Sequence, residues 1–213
     1  MKTIKELARE IIMLAESHEM QPHNENRVVR YAEKEVPKDG IYLVYNDGKC
    51  VSFDTELPEE FAHDVKGVGV IYLGIPFMVA LKDLGEWPLV RNVDDCPEES
   101  PFYKTECEGL HDWDFITATK HIQDIGTDIP LPEGWYIPTL AVLEVMCFWK
   151  EEINEAIIFA GGEPMPDEPH WSVTEYNRYH ARYVYFNNGT AYTGIKCYGN
   201  VVRPVAAFGY EPR

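Results

Sequence analysis

HWSVTEYNRYHARYVYFNNGTAYTGIKCYGNVVRPV, residues 170–205, differs in composition from the chain around it. None of the 36 acidic residues falls between 176 and 210, where average density would put about six. Arg178, Arg182, Lys196 and Arg203 make the stretch locally basic, and Tyr176, Tyr179, Tyr183, Tyr185, Tyr192 and Tyr198 make it aromatic. Aromatic and β-branched residues with a turn at Asn188-Gly189 predict paired strands. Side chains alternate between the two faces of a strand. Val184 and Phe186 therefore share one face, and Tyr183 and Tyr185 share the other. A core face of Val184 and Phe186 leaves the two tyrosines outward, and Tyr192 joins them across the turn. Tyr, Asn, His and Arg are residues of binding surfaces, tyrosine giving large contact area at low entropic cost together with a hydroxyl. The plainer alternative is a hairpin whose exposed face is rich in tyrosine because tyrosine favours strands. Several outward aromatics in one patch are nevertheless uncommon on a monomer.

Upstream of this stretch the chain alternates between strand and helix signals. Gly40–Tyr45 and Lys49–Phe53 flank Asn46-Asp47-Gly48, a hairpin signal. An acidic turn or short helix at Pro58–Asp64 precedes Val68–Leu73 and Phe77–Leu81, which Gly74-Ile75-Pro76 joins into a second hairpin. Residues 85–114, rich in Asp, Glu and Pro, read as a long surface loop anchored by Trp87 and Trp113. Asp114 caps a helix over Phe115–Ile125 that stops at Gly126. Thr139 caps a second, from Leu140 to Ala160, stopped by Gly161-Gly162. Strands, two helices and strands again give the α+β class with antiparallel hairpins.

The 213 residues suffice for one large domain with an appendage. We place an N-terminal helix and linker at 1–38 and a ligand-binding domain at 39–213. Thr3 and Glu6 form a capping box, and Ile4, Leu7, Ala8, Ile11, Ile12 and Ala15 make one apolar stripe. The stripe docks on the domain or pairs with a second copy, so a homo-oligomer through this helix is one expectation. Lys2, Lys5 and Glu6 break any signal-peptide core, and no run of 18 apolar residues occurs. The expectation is cytoplasmic synthesis without membrane insertion, with exit by lysis or in a virion. A net charge of −17 argues against nucleic acid as a partner. Cys50, Cys96, Cys107, Cys147 and Cys197 are scattered and odd in number, without a CxxC pair. Cys96 and Cys107 could close one loop, but free thiols are the expectation, with no zinc site.

The segment His170–Asn177, followed by Ala181, Val184, Phe186, Gly189, Lys196 and Val202-Arg203-Pro204-Val205, resembles the closing motif of a C-type-lectin-like domain found in variable proteins of diversity-generating retroelements. Trp135-Tyr136-Ile137-Pro138-Thr139, Ile153-Asn154 and Gly161-Gly162 match further landmarks of that family, and Val79–Asp83 resembles its early strand. The resemblance covers 40–208. It departs at His170, where the family has Tyr, at Val173, where it has Ser, and at Val142, where it commonly has Glu.

The resemblance implies a test. The family's mechanism mutates template adenines, commonly in AAC codons, whose third base stays C. Glu, Lys, Gln, Met and Trp are then unreachable. Between 176 and 201 only Lys196, a framework position, belongs to that set, against roughly six expected from the rest of the chain. The implied variable surface comprises Arg178, Tyr179, His180, Arg182, Tyr183, Tyr185, Asn187, Thr190, Tyr192, Thr193, Ile195, Cys197, Tyr198 and Asn200. Its expected ligand is a protein or glycan on another cell surface. Trp135, Ile137, Trp171, Val184, Phe186 and Val205 are the expected core, with Arg203 braced against Glu175.

No enzyme, cofactor or metal is expected. The related branch of the fold includes formylglycine-generating oxidases, which rely on reactive cysteines, but Cys197 sits at a variable position. Asp94-Asp95, Glu98-Glu99 and Glu106-Glu108 could hold Ca2+ weakly but lack the spacing of a known loop. In His111-Asp112-Trp113-Asp114, the best local cluster, Asp114 as helix cap and His111 as a surface loop residue are the plainer reading. No phosphate loop, GxSxG elbow or HExxH motif occurs. The alternative is a non-diversified cytosolic protein of the same fold, or a small-molecule enzyme using the acidic 94–114 loop.

Overall fold

A computed structural model describes residues 38–105 and 112–209. The chain divides into Met1–Lys38 and Asp39–Arg213, and every described strand and helix belongs to the second unit. The expected N-terminal helix and its linker up to residue 37, Cys107, His111 and the Glu106-Glu108 pair lie outside the described residues.

The early strands form as their sequence dictates. β1 (Gly40–Tyr45) pairs with β2 (Cys50–Ser52), and β3 (Val65–Tyr72) pairs antiparallel with both β1 and β4 (Ile75–Ala80). The β3–β4 turn is tighter than expected. It consists of Leu73 and Gly74, at φ 51° and 77°, which leaves Ile75 and Pro76 inside β4. Two successive left-handed residues give the twist a two-residue hairpin needs. Leucine is strained there, and the Asp39 carboxylate holds the turn by accepting the Leu73 and Gly74 N–H groups at 3.0 and 3.1 Å. The last strand, β10 (Val205–Ala206), returns beside β4, so the first sheet runs β10-β4-β3-β1-β2.

The second sheet holds the distinctive stretch. Its order is β5-β9-β6-β7-β8, from β5 (Glu86–Pro88), β6 (Pro169–Glu175), β7 (His180–Tyr185), β8 (Thr190–Ile195) and β9 (Gly199–Val201). The supposed surface loop 85–114 is thus partly structural. Trp87 and Trp113 are half-buried anchors, but β5 pairs with β9 and Leu89, Val90 and Cys96 are buried. Their side chains join the apolar cluster of Ile122, Ile137 and Trp171, which the abundance of Asp, Glu and Pro around them conceals.

α1 (Phe115–Ile125) begins at Asp114, whose carboxylate accepts the Thr117 N–H at 2.9 Å, and ends at Gly126. The expected helix 140–160 is two helices, α2 (Leu140–Phe148) and α3 (Lys150–Phe159), so the domain has three helices among the described residues. The bend lies at Trp149 (φ −107°, ψ 26°), although hydrogen bonds continue through it. Its ring meets Tyr72 edge-on at 6.0 Å. α2 is apolar nearly all round and enters the core, whereas α3 exposes Glu151 and Glu152. Each half follows its own burial, and the joint falls where the pattern changes.

The helices and both sheets enclose one core that includes Leu43, Val68, Leu143, Met146, Ile157, Val184, Phe186 and Val205. A second cluster, with Ile122, Ile137, Trp171, Ala181 and Val202, lies on the opposite face of the second sheet. The expected core residues are buried except Trp135, which is half-buried and packs with Tyr42 and Met78 on the outer face of the first sheet. Arg203 is fully buried as a brace, but its partner is Asp83, at 2.5 Å, rather than Glu175. It also donates to the carbonyls of Ala80 (3.0 Å) and Glu163 (2.9 Å). Closure of the two sheets brings those groups together, which spacing along the chain does not reveal.

Candidate functional site

The β7–β8 hairpin sets the geometry. Tyr183 lies opposite Tyr192, Tyr185 opposite Thr190, and Ala181 opposite Gly194; the alternate pairs are Val184 with Ala191, Arg182 with Thr193, and His180 with Ile195. Directly opposed residues share a face, so the ribbon has a tyrosine face and a second face. Val184 and Phe186, on the second face, are buried in the main core.

On the first face the three tyrosines pack against one another. Tyr183 stacks on Tyr192 at 5.8 Å, and Tyr185 meets their edges at 5.7 and 5.6 Å. Tyr192 is exposed, and Tyr183 and Tyr185 are half-buried. Beneath them Trp171 is fully buried, its ring edge-on to Tyr183 at 5.6 Å and its Nε1–H donating to the Tyr198 carbonyl at 3.2 Å. The absence of a side chain at Gly194 makes this packing fit. A Cβ there would stand 3.0 Å from both the Trp171 and the Tyr183 rings. Desolvation raises the Tyr183 pKa above the usual phenol value. The cluster presents a wide aromatic surface with Tyr192 at its most exposed point.

The other site residues are spread around this face. Arg182 and Thr193, with His180 and Ile195, lie on the opposite face. The Arg182 guanidinium stacks on Tyr176 at 4.6 Å. Arg178 donates to Glu98 (3.2 Å) and to the Asp94 carbonyl (2.9 Å), and lies over the Tyr179 ring. Both arginines are thus partly used within the fold. His180 Nδ1 lies 3.0 Å from the Asn177 amide oxygen. Asn187 lies on the exposed tip, where Asn187, Asn188 and Gly189 wall an open groove of about 800 Å3 against Cys147, Phe148 and Glu151. Cys197 is a half-buried free thiol, Tyr198 is exposed in the β8–β9 turn, and Asn200 pairs with Trp87. The structure unites Tyr183, Tyr185, Thr190 and Tyr192 on one face and sends the rest to the second face, the tip and the turns.

The fold has a solved counterpart: it is similar to a fimbrial protein from Bacteroides ovatus. The two share 15% sequence identity at a TM-score of 0.57, over 81% of this chain and 49% of that one. This chain spans about half the length of that structure, and the likeness concerns fold alone. No protein family and no curated protein matches the sequence.

Residue patterns did not reveal the polar support under the site. Lys196 is fully buried and its ammonium contacts the buried Glu175 carboxylate. Glu175 also reaches His121 Nε2 at 3.0 Å. Cys96 Sγ lies 3.9 Å from the ammonium and the Tyr103 ring 5.0 Å from it. Burial pushes the Cys96 thiol up and the Tyr103 phenol up to about 12. The Lys196–Glu175 contact ties β6 to the end of β8. Sequence reading had singled out Lys196 only as a framework position of the resembled motif.

Among the described residues no group of three or more His, Cys, Asp or Glu side chains is placed to hold a metal ion, and no helix is long and apolar enough to cross a membrane.

Proposed function

We propose that this protein binds ligands, acting in receptor or surface recognition through a diversified, Tyr- and Asn-rich surface on a C-type-lectin-like scaffold. The ligand is a protein or glycan on another cell surface, and the protein is phage-encoded and tail- or virion-associated. The observation that carries the reading is the cluster of Tyr183, Tyr185 and Tyr192, mutually packed at 5.6–5.8 Å on a buried tryptophan and open on its outer side. Large rigid aromatics with free hydroxyls supply affinity with little ordering cost. Segregation supports diversification: Val184, Phe186, Lys196 and Arg203 are buried, while Tyr179, Tyr192, Thr193 and Tyr198 are exposed. Side chains outside a close-packed core can change without cost to it.

Sequencing the surrounding genome tests diversification. A near-copy of the 170–205 coding segment beside a reverse-transcriptase gene is the expected result; its absence removes diversification from the proposal. Binding is tested by screening glycan arrays and a displayed peptide library with the wild-type protein and with Tyr183→Ala, Tyr185→Ala and Tyr192→Ala. Ligands that the alanine variants retain in full would place recognition elsewhere.

A further inference from the structure

β8 ends the second sheet, so one of its edges pairs with β7 and the other has no strand beside it among the described residues. The register decides which backbone groups face outward. The Lys196 N–H donates to the Tyr179 carbonyl at 2.9 Å, in line with the His180–Ile195 register. Hydrogen-bonded pairs alternate along an antiparallel ladder, so Ala181–Gly194, Tyr183–Tyr192 and Tyr185–Thr190 exchange the inter-strand bonds. Ala191, Thr193 and Ile195 then turn their N–H and C=O groups away from β7. The Tyr198 N–H takes the Ile195 carbonyl at 2.9 Å. Among the described residues no backbone bond outside the strand ladders reaches the amide or carbonyl of Ala191 or Thr193.

Folded proteins usually blunt such an edge with lysine, proline, a bulge or extreme shortness. β8 has none of these. It reads Thr-Ala-Tyr-Thr-Gly-Ile, carries no charge, and pairs with β7 without a bulge from Thr190 to Ile195. The chain's charge of −17 is carried elsewhere, since no acid lies between 176 and 210. An incoming strand would therefore meet no acidic side chain from this stretch.

We propose that the β8 edge binds an extended segment of a partner protein by strand addition, alongside the tyrosine face. The inference rests on the binding reading above and narrows its ligand class to protein. A strand offers the alternating N–H and C=O groups that match Ala191 and Thr193, and a glycan does not. Main-chain bonds supply affinity and neighbouring side chains supply specificity in this mode. Backbone groups persist whatever residues occupy the variable positions, so the edge remains a constant anchor while the tyrosine face changes.

The probe is the tightest peptide selected from a displayed random library against the full-length protein. Thr193→Pro removes an outward N–H without touching a β7 bond, and Thr193→Ala removes the side chain but keeps the N–H. Thr193→Pro should bind at least ~10-fold more weakly than Thr193→Ala, which carries whatever the side chain itself contributes. N-methylation along the peptide should weaken binding at alternate residues, which keeps the test decisive if Thr193→Pro fails to fold. Bound peptide should also slow hydrogen exchange at the Ala191 and Thr193 amides. Failure to select any peptide, or N-methylation losses without a two-residue period, overturns strand addition. Binding that needs the tyrosines but ignores Thr193→Pro overturns it while keeping the binding surface; binding indifferent to all three tyrosines refutes the surface itself.

Discussion

Trp171 joins the core to the site, because its buried ring supports Tyr183 and its Nε1–H holds the β8–β9 turn. Trp171→Ala should cost about 3–5 kcal/mol, measured by urea unfolding; a loss under ~1 kcal/mol would mean that it is not a core residue. Gly194→Ala should reorient Tyr183 and quench the hairpin's near-ultraviolet circular dichroism, since the added Cβ meets both rings at 3.0 Å. His170 gives a pH signature. Its Nδ1 bonds the Glu168 carbonyl at 2.8 Å, and its Nε2 is buried without a hydrogen-bond partner, 3.9 Å from Asp83. Burial, aided by nearby Arg203 and Lys150, lowers its pKa from 6.5 to about 4. The unfolded chain therefore takes up a proton that the folded chain refuses. This contribution is complete above pH 6.5 and falls as the pH drops toward 4, by about 3 kcal/mol at most. Unfolding free energies at several pH values should show a shallower acid decline for His170→Phe; equal slopes would assign the decline to other groups. At this scale the caps at Asp114 and Thr139 were legible because a cap is local. The partner of Arg203 was not, because sheet closure selects it.

At the scale of the element, the hairpin carries the proposal. Tyr192→Ala and Tyr185→Ala should each shift stability by about 0.5 kcal/mol or less. Tyr183→Ala should cost more, because that ring also packs against Trp171. Equal, large losses in all three would put the tyrosines in the core. Strand alternation alone assigned Val184 and Phe186 inward and the tyrosines outward, since the period of two follows from the pleat. The same alternation places Arg182 and Thr193 on the opposite face, so a site named by sequence interval is divided by geometry. The bend at Trp149 was hidden because Gly or Pro usually marks such a break and neither is present. The inward turn of Leu89 and Val90 was hidden too, in an acidic context that reads as solvated loop.

For the whole molecule, the buried Lys196–Glu175 pair is a test of construction. Lys196→Met alone should cost about 3–5 kcal/mol by stranding Glu175 among apolar groups, and Lys196→Met with Glu175→Leu should recover much of it. Thermal unfolding of the single and double variants measures this; an additive double loss would show that the two are not coupled. The α+β class was legible from the order of hairpins and helices. The division into two sheets was not, because β9 and β10 are short segments whose partners, β5, β6 and β4, precede them by long stretches of chain.

β9, β10 and Arg203 have a consequence for synthesis. Both sheets are completed by residues 199–206, after the whole 178–198 interval has been translated. A nascent chain stopped at any earlier codon lacks the strand between β5 and β6, the strand beside β4 and the guanidinium that binds Ala80 and Glu163. Such a product lacks the edge strand of the first sheet and the strand that joins β5 to β6 in the second. A chain therefore gains its full architecture only when the reading frame has been carried intact through the hairpin.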